Sequence, residues 1–274
     1  ITNKIVGAES LVRWNHPTLG LLAPGDFITI FEENGFITKL DTFVWEETCR
    51  LLRKWLDEER TIFPVSVNVS RLDLLDPSFF HIITSLVEKY EINPEILNLE
   101  LTETAYVKKY EEIKLVTDKL RHYGFSVHMD DFGSGYSALN MLQDIAVDTL
   151  KIDLDFMSGF AESGRGRNIL SSVIRMAKWL GLPVVIEGVE NEEQVAFLRS
   201  IGCTGAALPG GLEFNYRGAA HTGCAGADAG HPAKNSRHRP ECLRDHDPDR
   251  RRPRFNRVYL LHTRQLEHGR YRSA

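Results

Sequence analysis

Six short apolar runs, each ending in a charged or amide residue, constrain the fold of this chain more than any other feature. Stretches with helical spacing lie between most of these runs. A repeated succession of a strand, a polar residue and a helix is typical of a (β/α) barrel, which carries its chemistry at the carboxyl ends of parallel strands. The runs are Ile5–Ala8 before Glu9, Val65–Val67 before Asn68, Leu97–Leu99 before Glu100, Phe125–Met129 before Asp130 and Asp131, Thr149–Leu150 before Lys151, and Val184–Ile186 before Glu187.

The segments between the runs predict amphipathic helices. In one of them Ile113, Val116 and Leu120 recur at spacings of three and four, which places an apolar stripe on one helix face. Gly124 then ends the helix, and the next run begins at once. Helices are predicted at about Asp41–Trp55, Ser78–Tyr90, Glu111–Tyr123, Arg165–Leu180 and Glu192–Ile201. The predicted fold class is therefore α/β, with a TIM-type barrel.

Six runs are two fewer than a closed barrel of about eight strands requires. We expect the first and the last strands to be missing, the first before residue 5 and the last after Cys203. An open barrel leaves two unpaired edges, which lowers stability and favours aggregation.

The composition changes abruptly after residue 203. Residues 1–203 carry 20 Lys and Arg against 31 Asp and Glu, whereas residues 204–274 carry 13 against 7. The net charges are −11 and +6. We therefore predict a barrel domain at 1–203 and an Arg-, Gly-, Pro- and His-rich tail at 204–274 that packs poorly, as an out-of-frame or unrelated segment would. A real basic appendage is the alternative.

The sequence argues against several broad classes of protein. No apolar run is long enough to span a membrane, and no signal peptide is recognisable. The four cysteines lack paired spacing, which favours free thiols and a reducing, cytoplasmic setting. We expect no binding of DNA or RNA.

The polar residues that end the runs predict a divalent-metal site. Carboxylates that converge on one barrel mouth repel one another unless a cation lies among them, and carboxylate and amide oxygens suit Mg²⁺ or Mn²⁺ better than zinc. Any one of these residues could instead cap the following helix or form a turn; for Asn68, which stands before Ser70, the alternative is a turn. A lysine in a buried strand, Lys151, requires a partner or a function, because an unpaired buried charge is costly.

The same residues form motifs by which the chain resembles the EAL domain, the bacterial phosphodiesterase module that hydrolyses cyclic di-GMP. The resemblance runs in order through residues 5–203. Its motifs are Glu9–Trp14, Val67–Ser70, Leu99–Glu103, Asp130–Ser137, Leu150–Asp153 and Glu187–Glu190.

This resemblance implies a role for each matching residue. Two ions, Mg²⁺ or Mn²⁺, would be bound by Glu9, Asn68, Glu100, Asp130 and Asp131. Lys151 and Glu187 would be catalytic beside the attacking water, and the product would be linear pGpG. Contacts to the substrate would come from Arg13, Leu11, Asp153 and Glu190. Glu103 would support the loop Asp131–Leu139, which in the family connects the metal site to a homodimer interface.

The chain departs from the family at both ends of the barrel. Ala207 stands where the family has the Gln of a Gln-Gly-Tyr strand, and the family's opening Gln-Pro-Ile strand is not found before Ile5. The first hypothesis is a phosphodiesterase. The alternatives are an inactive barrel that binds the dinucleotide or a partner protein, and a truncated product without function. A metal-dependent barrel enzyme of another class is more distant, because it would not contain the Asp130–Ser137 motif.

Overall fold

In the part of the chain that the structure describes, eight strands form a closed barrel. The computed structural model describes residues 5–133, 147–154, 164–203, 205–208, 212–215 and 258–259. The barrel strands are β1 (Ile5–Glu9), β5 (Val65–Asn68), β6 (Leu97–Thr102), β7 (Ser126–Asp130), β8 (Thr149–Asp153), β9 (Val184–Glu187), β10 (Gly205–Leu208) and β11 (Leu212–Asn215). Around the barrel they follow the order β1-β11-β10-β9-β8-β7-β6-β5. The TIM-type fold class is thereby confirmed.

All six apolar runs form strands at the predicted places. Val65, Val67, Leu97, Leu99 and Leu101 are fully buried. Strands of this kind are apolar almost without interruption, because helices cover the outer face of a parallel sheet. Neighbouring strands run parallel from β1 through β5 to β10, so their carboxyl ends, and the polar residues there, lie at one end of the barrel.

The five predicted helices also form. The helices are α1 (Ile28–Glu33), α2 (Ile37–Asp57), α3 (Arg71–Leu74), α4 (Phe79–Lys89), α5 (Glu103–Lys108), α6 (Tyr110–Tyr123), α7 (Gly164–Trp179) and α8 (Glu192–Ser200). Trp45 of helix α2 is buried, and its indole Nε1 donates a hydrogen bond of 3.0 Å to the backbone oxygen of Asn68. The indole thereby fixes the end of strand β5.

The strand after Cys203 is present, contrary to the prediction that it is lost. Strand β10 pairs in parallel with β9, and Ala206 and Ala207 are buried. Small residues carry no apolar periodicity, which is why this strand was missed in the sequence. Its backbone groups nevertheless pair with the free edge of β9, and such pairing does not depend on large side chains.

The barrel contains seven parallel strands, so its parallel set is incomplete, as expected, but the sheet has no open edge. Strand β11 runs antiparallel to both of its neighbours and closes the gap between β10 and β1. Its partners on β1 are Ile5, Gly7 and Ala8, with an irregularity between the first two. Residues 205–208 and 212–215 of the predicted tail are thus part of the barrel, while the division at residue 203 as a domain boundary stays a prediction.

Three short strands and a distant fourth lie outside the barrel. Strands β3 (Trp14–His16) and β4 (Gly20–Leu22) form a hairpin, and β2 (Leu11–Val12) pairs antiparallel with β12 (Val258–Tyr259). Two of the four cysteines, Cys49 and Cys203, are buried; the other two lie outside the described residues. Among the described helices, none has both the length and the apolar character needed to cross a bilayer.

Candidate active site

The polar residues that end the strands meet at the mouth of the barrel. The amide Nδ2 of Asn68, at the end of β5, donates a hydrogen bond of 2.8 Å to Oε1 of Glu9, at the end of β1. Glu100 on β6 and Lys151 on β8 lie deeper, and Glu187 ends β9. The parallel register produces this arrangement, because it aligns Asn68 with Glu100 across neighbouring strands.

Lys151 links two of the carboxylates. Its Nζ lies 2.6 Å from Oε1 of Glu100 and 2.5 Å from Oε1 of Glu187. The side chains of Lys151 and Glu100 are 1% and 0% exposed, so both charges have been removed from water. A buried ammonium group is tolerated only with close counter-ions, and the two carboxylates supply them. The partner that the sequence required for this lysine is therefore present.

Burial, with smaller contributions from neighbouring charges, shifts the pKa values at the mouth. Burial raises the pKa of Glu187 to about 7 although Lys151 opposes the shift. Burial also raises the pKa of Glu100, with smaller contributions from the charges of Glu9 and Asp130. Burial disfavours the charge on Lys151, but the surrounding carboxylates outweigh this effect and raise its pKa. The mouth thus holds more negative charge than one lysine can balance.

We expect the free energy of unfolding of the metal-free protein to fall as pH rises from about 5 to about 7.5. A carboxyl whose pKa is raised from 4.5 to about 7 in the folded state binds its proton more tightly there. The contribution of Glu187 is therefore fully present below its unfolded pKa and is lost as pH rises through about 7; the loss is on the order of 2–3 kcal/mol. Urea unfolding in EDTA at a series of pH values measures it.

The matched variants for this measurement are Glu187→Gln and Glu33→Gln. Glu33 is exposed on α1, so its substitution leaves the pH dependence as it is in the parent protein. Glu187→Gln removes the titrating group and is expected to flatten the curve. Equal pH dependence in all three proteins would contradict the raised pKa.

The segment after β7 places two further carboxylates. Asp131 adopts φ 54°, and its N–H donates a 2.9 Å hydrogen bond to Oδ1 of Asp130. Loss of water contact raises the pKa of Asp131, as do the charges of Asp130 and Asp153. The buried Glu103 accepts a 2.9 Å hydrogen bond from the N–H of Gly133, a contact that loop support by Glu103 would require. The remainder of that loop, residues 134–139, lies outside the described residues.

The four residues expected to contact substrate lie in two groups, one after β1 and the other at the end of β8 and before α8. Nη1 of Arg13 donates a 2.8 Å hydrogen bond to the backbone oxygen of Val12, and Leu11 lines the cavity described below. Asp153 is the register partner of Glu187. Glu190 is exposed before α8, where its N–H donates to Oε1 of Gln194 at 2.7 Å. Arg13 and Leu11 thus lie beside Glu9 in sequence, and Asp153 lies opposite Glu187.

A cavity of about 540 Å³ adjoins the carboxylates. Leu11, Val12, Asn68 and Asp41 are among its lining residues. Asp41 is buried, and burial raises its pKa, with a further contribution from hydrogen bonding to Asp73. This acid pair was not predicted from the sequence. Two signals were available: an aspartate on the buried face of α2, and the Ser70-x-x-Asp73 capping pattern.

His128 is a second polar residue that the sequence analysis missed. It lies inside the barrel on β7, with 7% of its side chain exposed, and Nδ1 is 3.9 Å from Oε1 of Glu100. Burial, followed by the charge of Lys151, lowers the pKa of His128 to about 4, so the imidazole is neutral at pH 7. The sequence signal was a histidine two residues before Asp130 in an otherwise apolar strand.

The donor chemistry of the mouth suits Mg²⁺ or Mn²⁺. As they stand, no three acidic, histidine or cysteine side chains in the described ranges form a closed ligand set. Every candidate ligand is nevertheless an oxygen donor, and the buried Oε2 of Glu100 has no hydrogen-bond partner among the described residues. Burial, followed by the charges of neighbouring carboxylates, raises the pKa values of Glu100, Glu187 and Asp131, and a divalent cation would stabilise their charged forms.

Residues 1–207 match the protein family described as the EAL domain. The chain belongs to the EAL domain family. The resemblance drawn from the motifs is therefore confirmed, and the match continues through strand β10 as far as Ala207.

Two Pseudomonas aeruginosa proteins are among the relatives of this EAL domain. It is 33% identical over 199 residues to the bifunctional diguanylate cyclase/cyclic di-GMP phosphodiesterase MucR, covering 73% of this chain and 29% of that protein. It is 38% identical over 195 residues to the cyclic di-GMP phosphodiesterase NbdA, covering 71% and 25%. The chain thus spans less than a third of the length of these relatives.

A solved structure supports the same assignment. The EAL domain superposes on the MucR phosphodiesterase of the cyclic di-GMP complex with a TM-score of 0.69 and 32% identity. The superposition covers 73% of this chain and 81% of that one. The barrel described here is therefore the EAL barrel.

Proposed function

We propose that this EAL domain hydrolyses cyclic di-GMP to linear pGpG with the help of two divalent cations. The observation that carries the proposal is the buried Lys151, which contacts Glu100 and Glu187 at a mouth rich in oxygen donors. Relatives named as cyclic di-GMP phosphodiesterases, NbdA among them, support the choice of substrate.

The cations proposed are Mg²⁺ or Mn²⁺. The residues that would hold them are Glu9, Asn68, Glu100, Asp130 and Asp131. When bound, such ions lower the pKa of water and neutralise charge that develops on the phosphoryl oxygens. The amide–carboxylate hydrogen bond between Asn68 and Glu9 keeps two of these side chains together at the mouth.

The remaining groups would act on the water and the phosphodiester. Lys151 places a positive charge beside the reacting centre, and the two carboxylates hold its ammonium group in position. Glu187, with a pKa raised to about 7 by burial, is suited to accept a proton from the water near neutral pH. Arg13 would bind a phosphate oxygen, because a guanidinium offers two parallel donors to such a group.

The dinucleotide is proposed to lie across the mouth. Leu11 would contact it from the cavity of about 540 Å³, while Asp153 and Glu190 would contact it from the side of β8 and β9. Glu103 would support the loop after Asp131 through the N–H of Gly133. Homodimer formation in the intact protein, action in the cytoplasm and the lack of nucleic-acid binding also remain proposals.

A second candidate function is binding of cyclic di-GMP without cleavage. It is favoured by Ala207, because this small buried side chain stands where the family motif has a glutamine. An alanine cannot donate the hydrogen bonds by which such a glutamine would help to hold the site. Turnover therefore decides between an enzyme and a receptor.

We expect the purified chain to convert cyclic di-GMP to pGpG in Mg²⁺ or Mn²⁺ and to lose this activity in Ca²⁺ and in Glu9→Ala. Chromatography of the nucleotides measures the product, and Glu33→Ala, an exposed substitution on α1, serves as the matched control. Binding of the nucleotide by a folded sample without product would favour the receptor. If the chain neither bound the nucleotide nor melted cooperatively, it would be a truncated protein without function.

A further inference from the structure

A chain of polar groups extends from the mouth into the interior of the barrel. Lys151 contacts Glu100, Glu100 faces His128, and the Nε2 atom of His128 lies 3.0 Å from the Oγ atom of Ser126. Glu100 and His128 are register partners on β6 and β7, so their side chains stand next to each other. None of the roles assigned to the site so far uses His128 or Ser126.

The hydrogen-bond partners of the imidazole assign its tautomer. A neutral imidazole has one N–H donor and one acceptor nitrogen. The Ser126 hydroxyl can donate to Nε2 or accept from it, whereas an ionised Glu100 can only accept. The arrangement that serves both neighbours has the hydroxyl donating to Nε2 and the proton on Nδ1, facing Glu100.

Nδ1 of His128 and Oε2 of Glu100 are buried and lack a hydrogen bond to any described residue, whereas Oε1 of Glu100 lies 2.6 Å from Nζ of Lys151. Nδ1 lies 3.9 Å from the other carboxylate oxygen, Oε1, which is about 1 Å longer than a hydrogen bond. Polar contacts in a site often tighten when its ligand binds, and a buried donor left unpaired costs free energy.

We propose that His128 is a positioning residue that donates from Nδ1 to Glu100 and fixes this carboxylate for a divalent cation, with Ser126 holding the ring. The inference rests on the proposed role of Glu100 as a metal ligand. A carboxylate whose orientation is fixed by a neighbouring donor binds a cation without losing further rotational freedom. Residues in this position typically change metal affinity 10- to 100-fold.

Alternative roles for the histidine fit the geometry less well. Its ring stands beside Glu100, its register partner, and only 7% of the side chain is exposed, so it is shielded from a substrate at the mouth. A purely structural histidine would have its second nitrogen satisfied within the fold, but Nδ1 faces a carboxylate that is itself incompletely bonded. One hydrogen bond from Nδ1 to the Glu100 carboxylate would pair the buried nitrogen and add a donor to the carboxylate.

The test is Mn²⁺ binding to the full chain without substrate, followed by the electron paramagnetic resonance signal of free Mn²⁺. We expect His128→Leu, which keeps an apolar side chain of similar length, to weaken Mn²⁺ binding about 10- to 100-fold. We expect His128→Asn to remain within about threefold of the parent protein, because its amide N–H replaces the donor at the Nδ1 position. Thermal melts in EDTA establish that each variant is folded.

The possible outcomes separate this inference from the proposed function. Parent-like Mn²⁺ affinity in folded His128→Leu would overturn the inference alone, as would equal losses in His128→Leu and His128→Asn. A parent protein that binds no Mn²⁺ would contradict the two-metal proposal and the inference with it. A smaller loss in Ser126→Ala, which frees the ring but keeps its donor, would support the assigned tautomer.

Discussion

Asp130→Asn is expected to lower the rate of cyclic di-GMP hydrolysis about a thousandfold or more. The substitution keeps the size of the side chain and an oxygen that can accept from the Asp131 N–H, which lies 2.9 Å away. It removes one negative charge from the proposed ligand set. Several kcal/mol of transition-state stabilisation depend on correctly bound cations, and about 4 kcal/mol corresponds to a factor of a thousand. Initial rates at saturating Mg²⁺ or Mn²⁺ measure the effect.

The matched control is Asp57→Asn. Asp57 is exposed at the end of α2, where it pairs with Arg53. We expect its activity and its melting temperature to equal those of the parent protein. Near-parental turnover by Asp130→Asn would contradict the role of this residue as a metal ligand, provided that circular dichroism shows the barrel to be intact.

Truncation after Cys203 is expected to lower the melting temperature by at least about 10 °C, corresponding to about 4 kcal/mol for a domain of this size. This deletion removes β10 and β11, including the buried Ala206 and Ala207. The edges of β9 and β1 then lose their strand partners, and exposed edges also favour aggregation. Thermal melts followed by circular dichroism, with light scattering for aggregation, measure both consequences.

Truncation after Asn215 serves as the comparison. It retains the whole barrel and removes the segment that contributes β12, whose pairing with Leu11 and Val12 involves two residues. We expect the melting temperature of this shorter chain to lie within about 3 °C of the full chain, since such a small pairing contributes about 1 kcal/mol or less. If both truncations melted alike, β10 and β11 would not be needed for closure of the barrel.

Most of the barrel could be predicted from the sequence because six of its strands are short apolar runs that each end in a polar residue. Strand β6 illustrates this: Leu97, Leu99 and Leu101 are fully buried, and Glu100 between them was recognisable as a residue with a function. Strand β10 could not be predicted in this way, because Gly205, Ala206 and Ala207 have no apolar pattern. Its conformation depends on the edge of β9 beside it, which exists only in the folded barrel.

The candidate site, like the barrel, could be predicted from the sequence only in part. Lys151 was singled out in the sequence because a lysine in a buried strand must have a partner, but its simultaneous contacts with Glu100 and Glu187 depend on strand register. His128 was overlooked, since a single histidine in a strand is unremarkable until Glu100 is found beside it. The acid pair of Asp41 and Asp73 likewise becomes visible only when α2 packs against the segment after β5.

The amino-acid sequence alone was enough to identify the family, the order of six barrel strands and the helices between them, and the residue types at the barrel mouth. These properties follow from local hydrophobic pattern and from motifs, both of which are contained in contiguous residues. Only the tertiary structure decided that the barrel is closed by β11, and that His128 faces a proposed metal ligand. Both depend on contacts between residues distant in the chain, and such contacts are fixed by strand register and packing, which no local pattern contains.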